Sequence, residues 1–144
     1  MENPQKIVYE NKLLAIIIYS TFHNEGITFF TTDEFSQQLG YMKRPSGYII
    51  APHRHNLVLR EVKQTQEVLF IKSGVVRVDF YDDNQNYLWS KILNKGDVIL
   101  LAAGGHGFEI LEESEIIEVK QGPYVGEQDK VRFEKVENKK LIIK

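Results

Sequence analysis

Short apolar segments separated by turn-forming residues run through most of this chain. Val, Ile, Phe and Tyr are concentrated in segments such as KIVYE, LLAIIIYS and VVRVDFYD, and Gly, Asn and Asp lie between them. This pattern is typical of an antiparallel β-sandwich or β-barrel. The sequence therefore predicts an all-β fold. The other segments of this kind are GITFFTT, GYIIAPHRHNLVLREV, QEVLFIKSG, YLWSKIL, DVILLA, HGFEIL and SEIIEVKQG.

Local composition predicts two turns and one short helix. DDNQN predicts a hairpin turn, because Asp and Asn tolerate left-handed backbone and form hydrogen bonds within turns. Gly74 predicts a second tight turn after an apolar run. A helix is predicted from Asp33 to Leu39, with Thr32 as its N-cap and Gly40 at its C-terminal end. Helical structure is thus expected to be short.

Length and charge limit the classes of protein to consider. The 144 residues predict a single domain spanning 1–144, with outer strands in residues 1–46 and the central motifs in about 47–122. The 18 basic and 20 acidic residues are interspersed, so no basic stripe for nucleic acid is present. The chain has no cysteine, which excludes disulfides and thiolate chemistry. Without a signal-peptide pattern or an apolar run of about 20 residues, we expect a cytoplasmic protein with no membrane segment.

A pair of histidines lies in one of the predicted strands. His53 and His55 are two residues apart, and residues two apart share a face of a strand, so their imidazoles can converge. A hairpin centred on Glu61 would place His55 beside Glu67. The alternative reading of these residues is a polar patch in a solvated barrel mouth.

Two further polar residues lie on apolar strand faces. Glu67 shares its face with Leu69 and Ile71, and His106 shares its face with Phe108. Burying an isolated carboxylate costs several kcal/mol in the absence of a partner or a metal. This cost favours a cation held by histidine and carboxylate. His23, in the polar turn FHNEG, is interpreted as structural.

The spacing of these residues forms two motifs, which are Gly47-x5-His53-x-His55 with Glu67-x6-Gly74, and Gly96-Asp97 followed by Gly104 and His106. Together they resemble the two motifs of the cupin superfamily, a family of small jelly-roll β-barrels. The resemblance implies an antiparallel jelly-roll barrel with at most short helices. It also implies one divalent metal ion inside the barrel, held by His53, His55, Glu67 and His106. Zn, Ni, Mn and Fe all remain open.

The sequences that flank the two motifs add an expectation about the ligand. QLGYM before the first motif and KQGPY after the second resemble sugar-modifying cupins of polysaccharide pathways. This resemblance implies a carbohydrate or nucleotide-sugar ligand, with Tyr41, Tyr48, Lys120 and Tyr124 as lining residues. No catalytic residue is assigned, although tyrosines, Lys120 and Arg77 are candidates for an acid or base.

Two functions and one assembly state follow as expectations. The first function is a metal-dependent isomerase, epimerase or oxygenase acting on a small polar substrate, and the alternative is a non-catalytic cupin that binds a small ligand for sensing or storage. A homodimer is predicted because LLAIIIYS is apolar enough to be buried against a second copy.

Overall fold

The protein is a largely antiparallel β structure whose main sheet curls into a half-barrel. The structure is a computed structural model that describes residues 3–144. The strands of the main sheet follow the order β1-β2-β7-β5-β6, with β8 paired to the other side of β5, and β3 and β4 form a separate hairpin. These elements confirm the all-β prediction. Their bounds are β1 Gln5–Tyr9, β2 Lys12–Ile18, β3 Gly26–Phe29, β4 Gly40–Lys43, β5 Glu67–Tyr81, β6 Tyr87–Asn94, β7 Val98–Leu101 and β8 Gly105–Lys120.

The apolar segment LLAIIIYS supplies the centre of the core. It forms most of β2, which is hydrogen-bonded between β1 and β7. Residues 14–18 are all buried, so both faces of the strand are covered. A continuous apolar run is typical of a strand buried on both sides. We expected LLAIIIYS to be buried against a second copy. That expectation was wrong for this segment, because its own chain already buries it.

β5 and β8 are longer than the sequence suggested. QEVLFIKSG and VVRVDFYD merge into β5, and HGFEIL and SEIIEVKQG merge into β8. The predicted turn at Gly74 was wrong, because the chain continues through it as a strand with φ of 83°. The register of the β5–β8 ladder shifts between Ile71 and Val76, so Gly74 lies in an irregular, bulged part of the strand.

The hairpin turn at DDNQN is confirmed. The Asp82 carboxylate accepts hydrogen bonds from the backbone N–H groups of Asn84 and Asn86, each at 2.9 Å. The same interactions hold the pKa of Asp82 below its ordinary value, with the largest effect from the Asn86 side chain. Hydrogen bonds of this kind within a turn are the reason that Asp predicts a turn at this position.

The predicted helix from Asp33 to Leu39 was wrong. This stretch consists of turns and bends, and the Gln38 side chain donates to the carbonyl oxygens of Thr32 and Phe35 at 3.0 and 2.9 Å. A side chain thus takes acceptors that a helix would use for its own backbone. The helical turns in residues 3–144 are the 3-10 segments Gly126–Asp129 and Asn138–Lys140. No helix there is long and apolar enough to cross a membrane.

Residues 49–64, which we call the arm, run between β4 and β5 without joining a sheet. Every arm residue is exposed, and the structure shows no backbone–backbone hydrogen bond for any of them. The predicted strand GYIIAPHRHNLVLREV and the hairpin centred on Glu61 were therefore wrong for this chain. The physical reason is that the arm lacks a partner strand in its own sheet, since β7 and β8 already flank the start of β5.

Candidate functional site

Glu67 and His106 form a pair on the inner face of the half-barrel. His106 Nε2 lies 3.1 Å from Glu67 Oε1, and the two side chains are 28% and 16% exposed. Their strands do not place them side by side, because Glu67 is opposite Lys120 in the ladder whereas His106 is opposite Phe80. In a straight strand these two rungs would be about 40 Å apart at roughly 3.3 Å per residue. The strong bend of β5 and β8 therefore creates the pair.

The electrostatics of the pair favour an ionised carboxylate. The hydrogen bond from His106 holds the pKa of Glu67 below its ordinary value, and this effect outweighs the burial that acts in the opposite direction. The positive charges of Lys120 and Lys130 lower the same pKa further. Glu67 thus presents a negatively charged oxygen at the cavity wall, on the same face of β5 as the buried Leu69.

The pair opens onto a large cavity of about 2330 Å³. Phe108, Lys120 and the end of the arm also line it. Pockets for small molecules usually measure roughly 300–1,000 Å³. The hollow of the half-barrel is therefore more than twice the usual volume for a single small ligand.

His53 and His55 lie together on the arm, away from this pair. Their ring centroids are 5.5 Å apart, and His53 Nδ1 is 2.9 Å from the carbonyl oxygen of Ala51. Neither histidine lines the cavity. Across residues 3–144, no group of three or more histidine or carboxylate side chains is gathered as a metal would require. The four predicted ligands are thus arranged as two pairs.

The donor atoms of the Glu67–His106 pair suit a divalent metal. Two ligands that are each about 2.1 Å from one ion and at right angles would be about 3 Å from each other. The 3.1 Å between His106 Nε2 and Glu67 Oε1 is compatible with this separation, and it is also the length of a direct hydrogen bond between the two groups. Imidazole nitrogen and carboxylate oxygen are accepted by Zn, Mn, Ni and Fe alike.

Of the four residues predicted to line the ligand site, one lines the cavity and three do not. Lys120 lies beside Glu67 in the ladder and lines the cavity. Tyr41 packs edge-on against Phe22, and Tyr48 lies under the guanidinium of Arg44. These two tyrosines and Tyr124, which is largely exposed, are outside the cavity lining.

Arg77, a candidate acid or base, and His23 both lie outside the cavity and interact with neighbouring protein groups. Arg77 is buried on the opposite face of β5, where Asp79 and Glu109 neutralise it. His23 lies in a turn with Nδ1 at 3.2 Å from the carbonyl oxygen of Thr21. Sequence reasoning missed Gln128 and Lys130, which line the cavity from the segment after β8. Their only sequence signal was their position just beyond the last apolar strand.

Comparison of the chain with protein-family models, curated proteins and solved structures found no match. The function of the protein must therefore be inferred from the geometry and chemistry of these residues.

Proposed function

We propose that the protein is a metal-binding jelly-roll protein of cupin type, holding one divalent ion through His53, His55, Glu67 and His106. We further propose that it is an enzyme acting on a small polar substrate such as a carbohydrate or nucleotide sugar. The observation that carries the proposal is the Glu67–His106 pair, with its two donor atoms 3.1 Å apart on the wall of the cavity.

The surroundings of the pair support a cation there. Glu67 begins a strand whose next two inward residues, Leu69 and Ile71, belong to the apolar core. An ionised carboxylate in such a place needs a compensating positive charge or hydrogen bonds. His106 supplies one hydrogen bond, and the nearby Lys120 and Lys130 supply positive charge. A divalent ion would add a positive charge in direct contact with the carboxylate.

The chain's own residues define what the site could do with a substrate. A bound divalent metal of this ligand set can polarise a carbonyl group, activate water or, as Fe(II), bind oxygen. Lys120 carries a positive charge at the cavity wall, because the hydrogen bond to Glu118 raises its pKa above the ordinary value. Its ammonium group would bind an anionic part of the substrate, such as a phosphate. Isomerisation, epimerisation and oxygenation are the candidate reactions.

Elemental analysis tests the metal site directly. Protein purified without chelator and without a histidine tag should contain about one divalent ion per chain. His53→Ala and Glu67→Ala should each lower this content sharply, because each removes a ligand. His23→Ala is the matched control, since it removes a turn histidine and should leave the content unchanged. Equal, near-zero metal in all four proteins would disprove the proposal.

A non-catalytic cupin that binds a small ligand for sensing or storage is the second candidate. One observation favours it, which is the 3.2 Å ion pair between Lys120 Nζ and Glu118. A lysine with a raised pKa stays protonated at neutral pH and is therefore a poor general base. Turnover assays of the metal-loaded protein with sugars, nucleotide sugars and oxygenase substrates separate the two functions. Saturable binding without turnover would favour the binding role.

A further inference from the structure

The arm has the alternating sequence of a β-strand but pairs with no other strand of this chain. Leu57 and Leu59 are 105% and 100% exposed, although they alternate like the inward residues of a strand. The hydrogen bonds and ion pairs that the structure shows for the arm all join one arm residue to another. Fully exposed leucines on an extended segment indicate that the segment is covered by something outside this chain.

A strand edge with complementary properties is free on the same molecule. β8 pairs with β5 along one side, and no other described strand pairs with its second side. Phe108 and Ile110 share the inner face with His106 and are 37% and 51% exposed. Long exposed edges with apolar side chains are the surfaces to which another strand adds. β8 therefore offers both backbone hydrogen-bonding groups and apolar contacts to an incoming strand.

The charges on the two surfaces are also opposite in sign. The arm carries a basic excess, and β8 carries an acidic excess with one basic residue, Lys120, at its end. Three of the β8 glutamates, Glu109, Glu115 and Glu118, form ion pairs within the chain, and no ion pair of the described residues includes Glu112 or Glu113. Opposite charges steer two surfaces together and disfavour pairing of like with like. The charged residues are Arg54, Arg60, Lys63 and Glu61 on the arm, and Glu109, Glu112, Glu113, Glu115 and Glu118 on β8.

The arm is poorly built to fold back on its own chain. Residues 57–66 read LVLREVKQTQ and contain no Gly, Pro, Asn or Asp, which are the residues that favour tight turns. Its C-terminal end is fixed by Gln66, whose side chain accepts hydrogen bonds from the Ser36 hydroxyl and the Gln37 backbone, each at 3.1 Å. The chain thus leaves the sheet at a fixed point, and the stretch between Leu57 and β5 has no tight turn that would bring the two leucines back onto their own sheet.

From this arrangement we infer that the protein is a homodimer in which each arm lies along β8 of the other copy. His53 and His55 of one chain then complete a divalent-metal site with Glu67 and His106 of the other. The inference rests on the proposed metal-binding function and assigns its ligands to two chains. It also explains why each chain by itself gathers only pairs of ligands. A two-fold exchange of identical segments closes such an assembly at two copies.

Mixed dimers test whether the site is shared. One chain carries His53→Ala with His55→Ala, and the other carries Glu67→Ala with His106→Ala. Each chain has a different histidine-free peptide tag, so that co-expressed heterodimers can be purified through both tags. A site shared between chains predicts about one metal ion per heterodimer, because the intact arm of one chain meets the intact pair of the other. The control is a doubly tagged dimer of two arm variants, which should hold none.

The possible results distinguish the inference from the function on which it rests. If wild-type protein holds about one ion per chain and the heterodimer holds none, the site is built within one chain. That result overturns the inference and leaves the proposed function intact. If wild-type protein itself holds no metal, both the proposed function and the shared site are wrong.

A second measurement tests the arm contact independently of metal. Leu57→Asp with Leu59→Asp should convert the dimer to a monomer in sedimentation at micromolar concentration, because both side chains would be buried only in the dimer. Asn56→Asp is the control for added charge, since it places one negative charge on the opposite face of the arm and should leave the dimer intact. Wild-type protein that sediments as a monomer, or a double variant that stays dimeric, would overturn the inference.

Discussion

At the scale of single residues, a buried charge network on the outer face of β5 fixes Arg77. Its guanidinium donates two hydrogen bonds to Asp79, at 2.7 and 3.0 Å, and the Ser90 hydroxyl donates a third to the same carboxylate at 2.5 Å. The bond to Asp79 also raises the pKa of Arg77, so the guanidinium stays charged. A buried charge of this kind depends on its partner for compensation.

Asp79→Ala should therefore destabilise the fold strongly. Removing one partner of a buried ion pair typically costs about 3–5 kcal/mol. We expect a loss near the lower end of this range, about 3 kcal/mol, because Arg77 keeps its 2.8 Å ion pair with Glu109. Urea denaturation at fixed protein concentration measures the loss. The control is Lys72→Ala, which breaks an exposed 2.9 Å pair with Glu115 and should change the free energy of unfolding little. Similar losses in the two variants would contradict the assignment.

The sequence predicted part of the site at this scale. Alternation along the strand correctly placed His106 and Phe108 on one face, because side-chain direction is a local property of a strand. The contact between His106 and Glu67 could not be read in the same way. It depends on the bend of β5 and β8, which arises from non-local pairing.

At the scale of elements, Gly74 allows β5 to bend against β8. Its φ of 83° is a conformation that other residues rarely adopt, and a Cβ there would lie 2.2 Å from the carbonyl oxygen of Glu113. The bend lies between the two ends of β5, one with Glu67 and the other opposite His106. Gly74 thus links the shape of the half-barrel to the formation of the pair.

Gly74→Ala should destabilise the protein by about 3 kcal/mol, combining the left-handed backbone penalty with the steric overlap. Gly47→Ala is the matched control, because Gly47 has the same φ of 83° but a Cβ added there would meet no atom within 4 Å. We expect only about 1 kcal/mol there from the backbone alone. Thermal or urea unfolding of both variants measures the difference, and equal losses would show that β8 does not press on Gly74.

The sequence signals for elements failed at two places for related reasons. Gly74 was interpreted as a turn because glycine is common in turns, but positive φ is needed equally in a bulged strand. The arm was interpreted as a paired strand because its residues alternate correctly. Alternation of apolar and polar residues shows that a segment is suited to form a strand. Whether the segment pairs depends on which strand edge is free elsewhere in the molecule.

At the scale of the whole molecule, the end of the chain returns to cover the edge strand β6. The Ser90 N–H donates to the carbonyl oxygen of Ile142 at 2.7 Å, and the Lys144 N–H donates to the carbonyl oxygen of Ser90 at 3.0 Å. The charged segment VRFEKVENKKLIIK retains alternating apolar positions, which are compatible with either a closing strand or a tail. The structure shows a tail with a single parallel bridge, between Ser90 and Ile143. Its contact with β6 is long-range, so local composition could not decide between the two.

Removing residues 141–144 should lower the free energy of unfolding by about 3 kcal/mol. The two backbone hydrogen bonds to Ser90 and the bond from the Ile142 N–H to the Tyr87 hydroxyl, worth roughly 1 kcal/mol each, are lost. It should also increase aggregation, since the uncovered part of β6 becomes an exposed edge. Urea denaturation and light scattering across a concentration series measure the two effects. Lys144→Ala is the control, because it keeps the backbone bonds and removes only the ammonium 3.9 Å above the Trp89 ring. If the truncated protein matches Lys144→Ala in both measurements, the tail does not protect the edge of β6.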